Sequence, residues 1–235
     1  MMPKYLRRAI KTTVRRLVPR RYVAWSGSPA RGYPDGNRLA LTFDDGPHPK
    51  YTPQILTALR EAGVRATFFV VGSQIERHPE MVAEMIKGGH ELGNHTYSHA
   101  NLGQIGWRRG CEELQTMDRL LRQQDPRFRG LFRPPWGWIG LGGALYSVRN
   151  GYQAAMWSVD SADYRLDGVQ PLIERVKAAR LQAGDILLFH DDNAYTAEAM
   201  AAILRVLIDR GFAFATVSEL LGSGVRQPAA SLASG

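Results

Sequence analysis

The 235-residue chain has a single cysteine, Cys111, which excludes both a disulfide framework and a thiolate metal site. Any metal ion that it binds must therefore take oxygen and imidazole ligands. Glycine-rich phosphate loops and Gly-x-Ser-x-Gly motifs are also absent, so nucleotide hydrolysis and serine-esterase chemistry lack their usual residues. No apolar run is long enough for a signal peptide or a membrane span. We therefore expect a protein that is cytoplasmic or peripheral to the inner face of the membrane.

Acidic residues are missing from the first 21 positions, which carry eight Lys and Arg side chains. Removing these eight from the 30 basic residues of the chain leaves 22 against 22 acids, so the net charge of +8 belongs to this arm. Residues 1–21 are interpreted as a basic amphipathic arm that suits an anionic membrane surface, and no nucleic-acid partner is expected. A basic terminus without a role, or a mis-assigned start codon, explains the same residues. The apolar residues of the arm are spaced for one helical face: Leu6, Ile10, Val14, Leu17 and Val18.

The whole chain is 44% hydrophobic and 22% charged, which suits one globular domain. Residues 22–37 are predicted to be a linker, 38–221 the domain and 222–235 a disordered tail. Seven alternating strand and helix steps indicate an α/β fold with parallel connections, either an open doubly wound sheet or an incomplete barrel. The predicted strands are 38–43, 66–71, 91–94, 130–132, 153–159, 185–189 and 212–217. The predicted helices are 52–62, 79–87, 107–124, 142–150, 169–181 and 196–210.

The first predicted strand ends in two adjacent carboxylates, Asp44 and Asp45, after which Gly46-Pro47 turns the chain away. In parallel α/β folds, loops gather and ligands bind at the C-terminal ends of the strands. The paired acids are therefore better interpreted as site residues than as solubilising charge, although a turn with a capping acid gives the same pattern. Because adjacent residues of a strand point to opposite sides, we expect Asp44 and Asp45 to have different roles.

Two histidines, His95 and His99, follow the third predicted strand, and their spacing of four places them on one side of a helical turn. They can share one metal ion. A carboxylate from the Asp44-Asp45 pair would complete a three-ligand set with an open position, which is typical of catalytic sites. The residues between the histidines include no acid, so a general base must come from elsewhere. Two surface histidines near a helix start would explain the same spacing.

Three further predicted strands end in polar groups. Arg133 precedes two prolines, while Asp160 and His190 each leave an apolar run. A guanidinium can brace a carboxylate, and an imidazole is well suited to donating a proton near neutral pH. Each of these residues alone is also typical of ordinary loop polarity. Five strand ends that all carry titratable groups nevertheless indicate one site.

Taken in order, these segments resemble the polysaccharide deacetylases of carbohydrate esterase family 4, the NodB-homology domain, over about residues 38–221. The resemblance implies a distorted (β/α)7 barrel in a single domain. It also implies metal-dependent removal of an N-acyl group, usually acetyl, from an amino sugar in a polysaccharide, an oligosaccharide or a lipid-linked glycan. The five matching motifs are Thr42 to Pro47, His95 to His99, Arg133 to Gly137, Asp160 to Tyr164 and Leu188 to His190.

The resemblance implies a role for each matching residue around the metal. Asp45, His95 and His99 would hold one divalent ion, for which Zn²⁺ is the usual choice. Asp44 would be the general base, and Arg133 would pair with it to keep it ionised until it takes a proton.

On the other side of the substrate, the resemblance implies that His190 is the general acid, with Asp160 orienting it and keeping it basic. The backbone N–H of Trp136 would help to hold the oxyanion, and Leu188 would line the pocket for the acyl methyl group. The chain departs from the family at two positions. Trp136 stands where the family most often has Tyr, and Tyr164 stands where it has Trp, so either change could reshape the sugar-binding wall.

Two alternatives to an N-deacetylase follow from the same residues. One keeps the mechanism but changes the substrate, as in a deformylase or deacylase acting on another amino-sugar conjugate. The other is a catalytically silent protein that binds glycans or a membrane surface. A silent protein has no need of both Asp44 and His190, so the complete set of residues argues for an enzyme.

Overall fold

A computed structural model describes residues 23–24, 36–139, 144, 147 and 149–222. Within these residues, strands and helices alternate, and every strand pair is parallel. The strands are β1 Val23–Ala24, β2 Arg38–Asp44, β3 Thr67–Val70, β4 Glu91–Asn94, β5 Leu131–Phe132, β6 Gln153–Ala155, β7 Val159–Asp160, β8 Ile186–His190 and β9 Ala213–Phe214. The helices are α1 Thr52–Glu61, α2 Gly72–Arg77, α3 Pro79–Lys87, α4 Trp107–Gln124, α5 Val169–Ala178, α6 Ala194–Asp209 and α7 Val217–Leu220, with 3₁₀ turns at Pro135–Gly137 and Asp163–Arg165.

Several sequence predictions fall outside the described residues. These are the basic arm 1–21, the tail after Gly222 and most of the predicted helix 142–150. Most of the predicted linker 22–37 also lies outside them, but Val23–Ala24 form a strand there and pair with β6. In the part of the chain that is described, no helix is both long and apolar enough to cross a membrane.

The strands lie in the order β1-β6-β5-β4-β3-β2-β8-β7, and β9 pairs with β2. The prediction of one strand over 153–159 is wrong, because β6 and β7 lie far apart in this order. Only Met156 to Ser158 connect them, so the sheet must curve until its two ends are close. The curvature confirms the predicted α/β barrel of parallel strands in a single domain.

Strand β2 shows how the barrel is filled. Leu39, Leu41 and Phe43 point outward and are buried in a cluster with residues of the surrounding helices. The alternate residues face the interior, where Ala40 packs in a second cluster with residues of β3, β5, β6 and β8. Asp44 continues this inward-facing row at the end of the strand and is 3% exposed. A carboxylate is thereby placed at the C-terminal mouth of the barrel.

The opposite end of the barrel is closed by α7. The sequence predicted a last strand over 212–217, but the observed strand is only β9, because Thr216 begins a helix. The Thr216 side chain accepts from the N–H of Glu219, and the Glu219 side chain accepts from the N–H of Thr216. Val217 and Leu220 then pack into the interior cluster. Active sites of such barrels lie at the other end, so α7 serves stability.

Candidate active site

The mouth of the barrel brings together the strand ends that the sequence singled out. Asp44 is the parallel partner of His190, and Asn94, just before His95, pairs with Phe132, just before Arg133. The motif that follows β7 lies beside β8, since Asp160 pairs with Leu188. All five motifs therefore lie around one opening.

Three potential ligand atoms meet at this opening. Asp45 Oδ1 lies 2.9 Å from His99 Nε2 and 3.2 Å from His95 Nε2. One ligand atom from each of the three residues lies within 4.8 Å of the others. Asp45 Oδ1 is buried and has no hydrogen-bond partner, although both imidazoles are close to it. A buried carboxylate oxygen without a proton donor indicates a site built for a cation.

The hydrogen bonds of His95 define which of its nitrogens can bind metal. Its Nδ1 lies 2.8 Å from the carbonyl oxygen of Arg133, which can only accept, so the Nδ1 carries the proton. The Nε2 lone pair is then free to face Asp45. Burial would raise the pKa of Asp45, but the positive charges that His95 and His99 carry when protonated outweigh burial and hold that pKa below its usual range. The donor set of one carboxylate and two imidazoles fits a divalent ion such as Zn²⁺.

The two aspartates differ because the strand ends between them. Asp44 is the last residue of β2, whereas Asp45 has a φ of 79° in the left-handed region. The expectation that simple strand alternation separates the two side chains is therefore wrong in its geometry. The backbone reverses at Asp45 and turns its carboxylate toward the histidines, and Asp44 Oδ2 remains 3.8 Å from His95 Nε2.

The backbone conformation that brings His95 and His99 together also differs from the one that the sequence predicted. Residues 95–99 form an irregular loop, not a helical turn, with φ values of 67° at Thr96 and 57° at His99. The imidazole centroids of His95 and His99 are 5.1 Å apart. Left-handed conformations are costly in residues other than glycine and cluster at functional sites.

Arg133 is fully buried, and its guanidinium forms hydrogen bonds with groups on the inner wall of the barrel. It donates to Asp44 Oδ1 at 2.7 Å, to Thr42 Oγ1 at 2.8 Å, and to the carbonyl oxygens of Ala155 and Met156 at 2.8 and 3.0 Å. Its guanidinium carbon also lies 4.1 Å from the ring centroid of Phe69. The expected pairing of Arg133 with Asp44 is therefore present. It leaves Asp44 Oδ2 free toward the cluster.

His190 is held by Asp163, not by Asp160 as the sequence analysis expected. His190 Nδ1 lies 2.7 Å from Asp163 Oδ1, and Asp163 Oδ2 accepts from the N–H of His190 and from Thr196 Oγ1. Burial alone would lower the pKa of His190. The negative charges of Asp163, Asp44 and Asp45 outweigh it and raise that pKa to about 9. His190 Nε2 faces the cluster, 4.0 Å from Asp45 Oδ2.

Asp160 has a different set of contacts. Its Oδ1 accepts from the N–H of Ala162 at 2.8 Å, and its Oδ2 accepts from the hydroxyl of Tyr164 at 3.2 Å. The φ of 56° at Ala162 reverses the chain between the two acids. Asp160 thus stabilises the turn formed by residues 160–164, and Asp163 is the acid that contacts His190.

A second buried carboxylate at this opening is Asp191, which directly follows His190 and is 1% exposed. It accepts from the N–H of Gly46 at 2.9 Å and from Thr52 Oγ1 at 2.6 Å. A Cβ on Gly46 would lie only 2.0 Å from Asp191 Oδ2, so this turn requires glycine. Asp191 therefore anchors the turn that follows Asp45.

Exposed aromatic side chains flank the cluster on two sides. The ring of Trp136 is 64% exposed and lies 4.4 Å from the ring of His99, on a residue with a φ of 53°. Tyr164 is 48% exposed and places its ring edge-on to His190, 5.4 Å away. Trp138 packs over Gly103, where an added Cβ would collide with its indole ring. Leu188 is buried in β8 below this opening.

The fold and this site are those of a hydrolase built on a parallel α/β barrel, with one carboxylate and two imidazoles as a candidate metal site. The family profile for polysaccharide deacetylases matches residues 31–154. The chain belongs to this polysaccharide deacetylase family, known as carbohydrate esterase family 4.

Two relatives show how far the similarity extends. A peptidoglycan-N-acetylglucosamine deacetylase of Bacillus cereus is 36% identical over 213 residues, which cover 87% of this chain and 95% of that protein. The peptidoglycan-N-acetylmuramic acid deacetylase PdaC of Bacillus subtilis is 35% identical over 80% of this chain, but the chain spans only 39% of PdaC. Among solved structures, the peptidoglycan N-acetylglucosamine deacetylase Bc1960 is 25% identical with a TM-score of 0.79, covering 94% of this chain and 98% of that one.

Proposed function

We propose that the chain removes acetyl groups from N-acetylglucosamine residues of peptidoglycan or a closely related glycan. The observation that carries this proposal is the convergence of three potential metal ligands, a second carboxylate, Asp44, and a third imidazole, His190, on one opening. The high coverage of the Bacillus cereus relative supports the choice of substrate.

The cluster of Asp45, His95 and His99 would hold one Zn²⁺ ion. Its chemistry, when bound, is that of a Lewis acid, which polarises the acetyl carbonyl and makes water a better nucleophile. The absence of a thiolate and the His₂Asp ligand set support zinc over softer metals. His99 is the most exposed of the ligands, with 30% of its side chain open to solvent.

Asp44 and His190 would divide the proton transfers. Asp44 approaches the cluster from the side of His95, with one oxygen fixed by Arg133 and the other free to take a proton from the attacking water. His190 approaches from the side of Asp45, with its Nδ1 beside Asp163 and its Nε2 facing the cluster, from where it would donate a proton to the leaving nitrogen. An amine is a poor leaving group unless it is protonated, so cleavage of an amide requires this acid.

The residues around the opening are suited to binding a sugar. Trp136 and Tyr164 present exposed aromatic surface on two sides of the opening, where the apolar faces of sugar rings can pack. The backbone N–H of Trp136 would donate to the oxyanion, and Leu188 would contact the acetyl methyl group, as the family resemblance implies.

The proposal is tested by product release. Zinc-loaded protein is incubated with peptidoglycan fragments, chitin oligomers and lipid-linked amino sugars, and released acetate and formate are measured. We expect acetate from N-acetylglucosamine units. Formate alone would favour the deformylase alternative, and no acid from any of these substrates would favour the silent glycan-binding alternative.

The raised pKa of His190 leads to a prediction about pH. His190 acts as an acid only while protonated, so activity should fall as pH rises through its pKa, which Asp163 helps to raise to about 9. Asp163→Asn removes the neighbouring charge and should move this alkaline limb to lower pH by about one unit or more. The measurement is kcat/KM against pH.

Asp160→Asn is the matched control for this change, because Asp160 lies three residues away and contacts Tyr164 instead of His190. Its alkaline limb should stay close to that of the wild type. If Asp160→Asn shifts the limb and Asp163→Asn does not, the observed pairing has no influence on the acid.

We also propose that the basic arm, residues 1–21, binds anionic membrane surfaces. Each engaged Lys or Arg contributes roughly 1 kcal/mol near such a surface at low salt. Deleting the arm should therefore reduce sedimentation with anionic vesicles and leave turnover of a short soluble substrate unchanged. Equal sedimentation of the two proteins would contradict membrane binding by the arm.

A further inference from the structure

The loop that carries His95 and His99 is held in shape by side chains that lie outside it. Thr96 and His99 both have left-handed backbone conformations, and this conformation is costly for the β-branched side chain of Thr96. Such conformations persist only where the surrounding structure fixes them. The groups that fix this loop are therefore part of what places the two imidazoles.

Glu113 of α4 is the most unusual of these groups. It is 8% exposed and lies on the buried face of the helix with Leu114, Met117 and Leu121. Both of its carboxylate oxygens accept from one residue, Ser98. The Ser98 N–H donates to Oε2 at 2.8 Å, and Ser98 Oγ donates to Oε1 at 2.7 Å.

A buried carboxylate costs stability unless hydrogen bonds compensate it, so an apolar residue would serve packing better at this position. The two hydrogen bonds from Ser98 indicate that the Glu113 carboxylate holds the loop, a role that an apolar residue could not fill. They immobilise both the backbone and the side chain of the residue directly before His99. Charge-assisted hydrogen bonds of this length are among the stronger ones in proteins.

The same turn of α4 also holds the other end of the loop. Asn94 Nδ2 donates to the carbonyl oxygen of Leu114 at 3.1 Å, and Asn94 Oδ1 accepts from the N–H of Thr96 at 2.8 Å. Two neighbouring residues of one helix thus hold the loop at two points, at Asn94 before Thr96 and at Ser98 before His99. Neither contact reaches the ligand atoms themselves.

We propose that Glu113 is a positioning residue that sets the affinity of the His95 and His99 pair for its divalent ion. The proposal rests on the proposed function, because it takes the cluster with Asp45 to be the metal site. Glu113 acts by ordering the loop before the ion binds, so that binding does not have to supply the ordering free energy. It is distinct from the ligands and from the acid and base.

The test measures Zn²⁺ affinity by competition with a chromophoric chelator in the full-length protein. Glu113→Ala should weaken binding by about 10–100-fold, the range found when a residue that supports a metal ligand is removed. Glu113→Gln should stay within a few-fold of the wild type, because the amide can accept from the Ser98 N–H and donate to its Oγ. The Co²⁺-substituted proteins provide a second readout, since looser imidazoles change the absorption spectrum.

Two control variants separate positioning from general stability. Leu121→Ala removes a buried side chain from the same face of α4 and should lower the melting temperature of the metal-free protein without weakening zinc binding. Glu112→Ala removes the exposed neighbouring acid and should change neither property. Equal losses of affinity in Glu113→Ala and Leu121→Ala would reduce Glu113 to a packing role and overturn the proposal.

If Glu113→Ala does not fold, Ser98→Ala decides the question. It removes the bond from Oγ and retains the bond from the backbone N–H, so we expect a loss of several-fold in zinc affinity. Unchanged affinity there would overturn the proposal while the metal site stands. A wild-type protein that binds no zinc would instead refute the metal site in the proposed function, and this inference with it.

Discussion

Replacing Asp45 with asparagine is expected to remove the metal ion and the activity together. Asp45 contributes the only carboxylate of the described cluster, and its Oδ1 has no hydrogen-bond partner in the described structure. Asn retains the size of the side chain but not the charge that neutralises a divalent cation. We expect less than a tenth of the wild-type zinc content after dialysis, and no turnover above background. The measurements are elemental analysis and acetate release.

His95→Ala provides a second route to the same result, because it removes an imidazole without adding charge. The fold should survive both changes, and circular dichroism of the metal-free proteins provides the control. Full retention of zinc in both variants would contradict the assignment of the ligands. Loss of metal in His95→Ala alone would leave Asp45 with a role other than coordination.

Replacing Asp44 with asparagine is expected to leave the metal in place and to lower turnover by about two to four powers of ten, the usual contribution of a general base. Asp44 Oδ2 is 3.8 Å from His95 Nε2, so it lies beside the cluster without belonging to it. Asn can still accept from Arg133, but it cannot take a proton from water. The measurements are kcat and zinc content of the same preparation.

The pairing with Arg133 calls for a stability control. Removing the charge of Asp44 leaves a fully buried guanidinium without a counterion, which in comparable buried pairs costs roughly 3–5 kcal/mol. Chemical denaturation of Asp44→Asn would measure this loss, and turnover should be compared well below the melting temperature. An Asp44→Asn protein that lacks metal, beside an Asp45→Asn protein that retains it, would reverse the two assignments.

The sequence predicted which strands carry the site because each apolar run ends at a polar motif. Parallel strands bring such ends to one edge, and the observed partnership of Asp44 with His190 follows from that rule. The same reasoning could not predict the partner of His190. Asp160 and Asp163 are three residues apart in one turn, and the left-handed backbone at Ala162, which reverses the chain between them, leaves no local sequence pattern that shows which of them faces His190.

Contacts between distant segments could not be predicted from the sequence either. Glu113 follows Ser98 by 15 residues, and Asp191 is 145 residues from Gly46, so neither pairing leaves a local pattern. Both acids do carry one signal that could have been used. Glu113 falls on the apolar stripe of α4, and Asp191 follows directly after a buried strand, positions where a charged side chain needs a specific partner.

The central position of β2 in the sheet has a consequence for synthesis of the chain. The hydroxyl of Thr42 donates to the carbonyl oxygen of Leu187, 145 residues later in the chain. Strand β2 therefore cannot pair with β8 until β8 has been translated. At synthesis rates of about 5–20 residues per second, this leaves an apolar strand unpaired on one side for roughly 7–30 s. Unpaired apolar strands associate with one another unless charges flank them. In this chain, Asp44 and Asp45 are the charges at the C-terminal end of that strand.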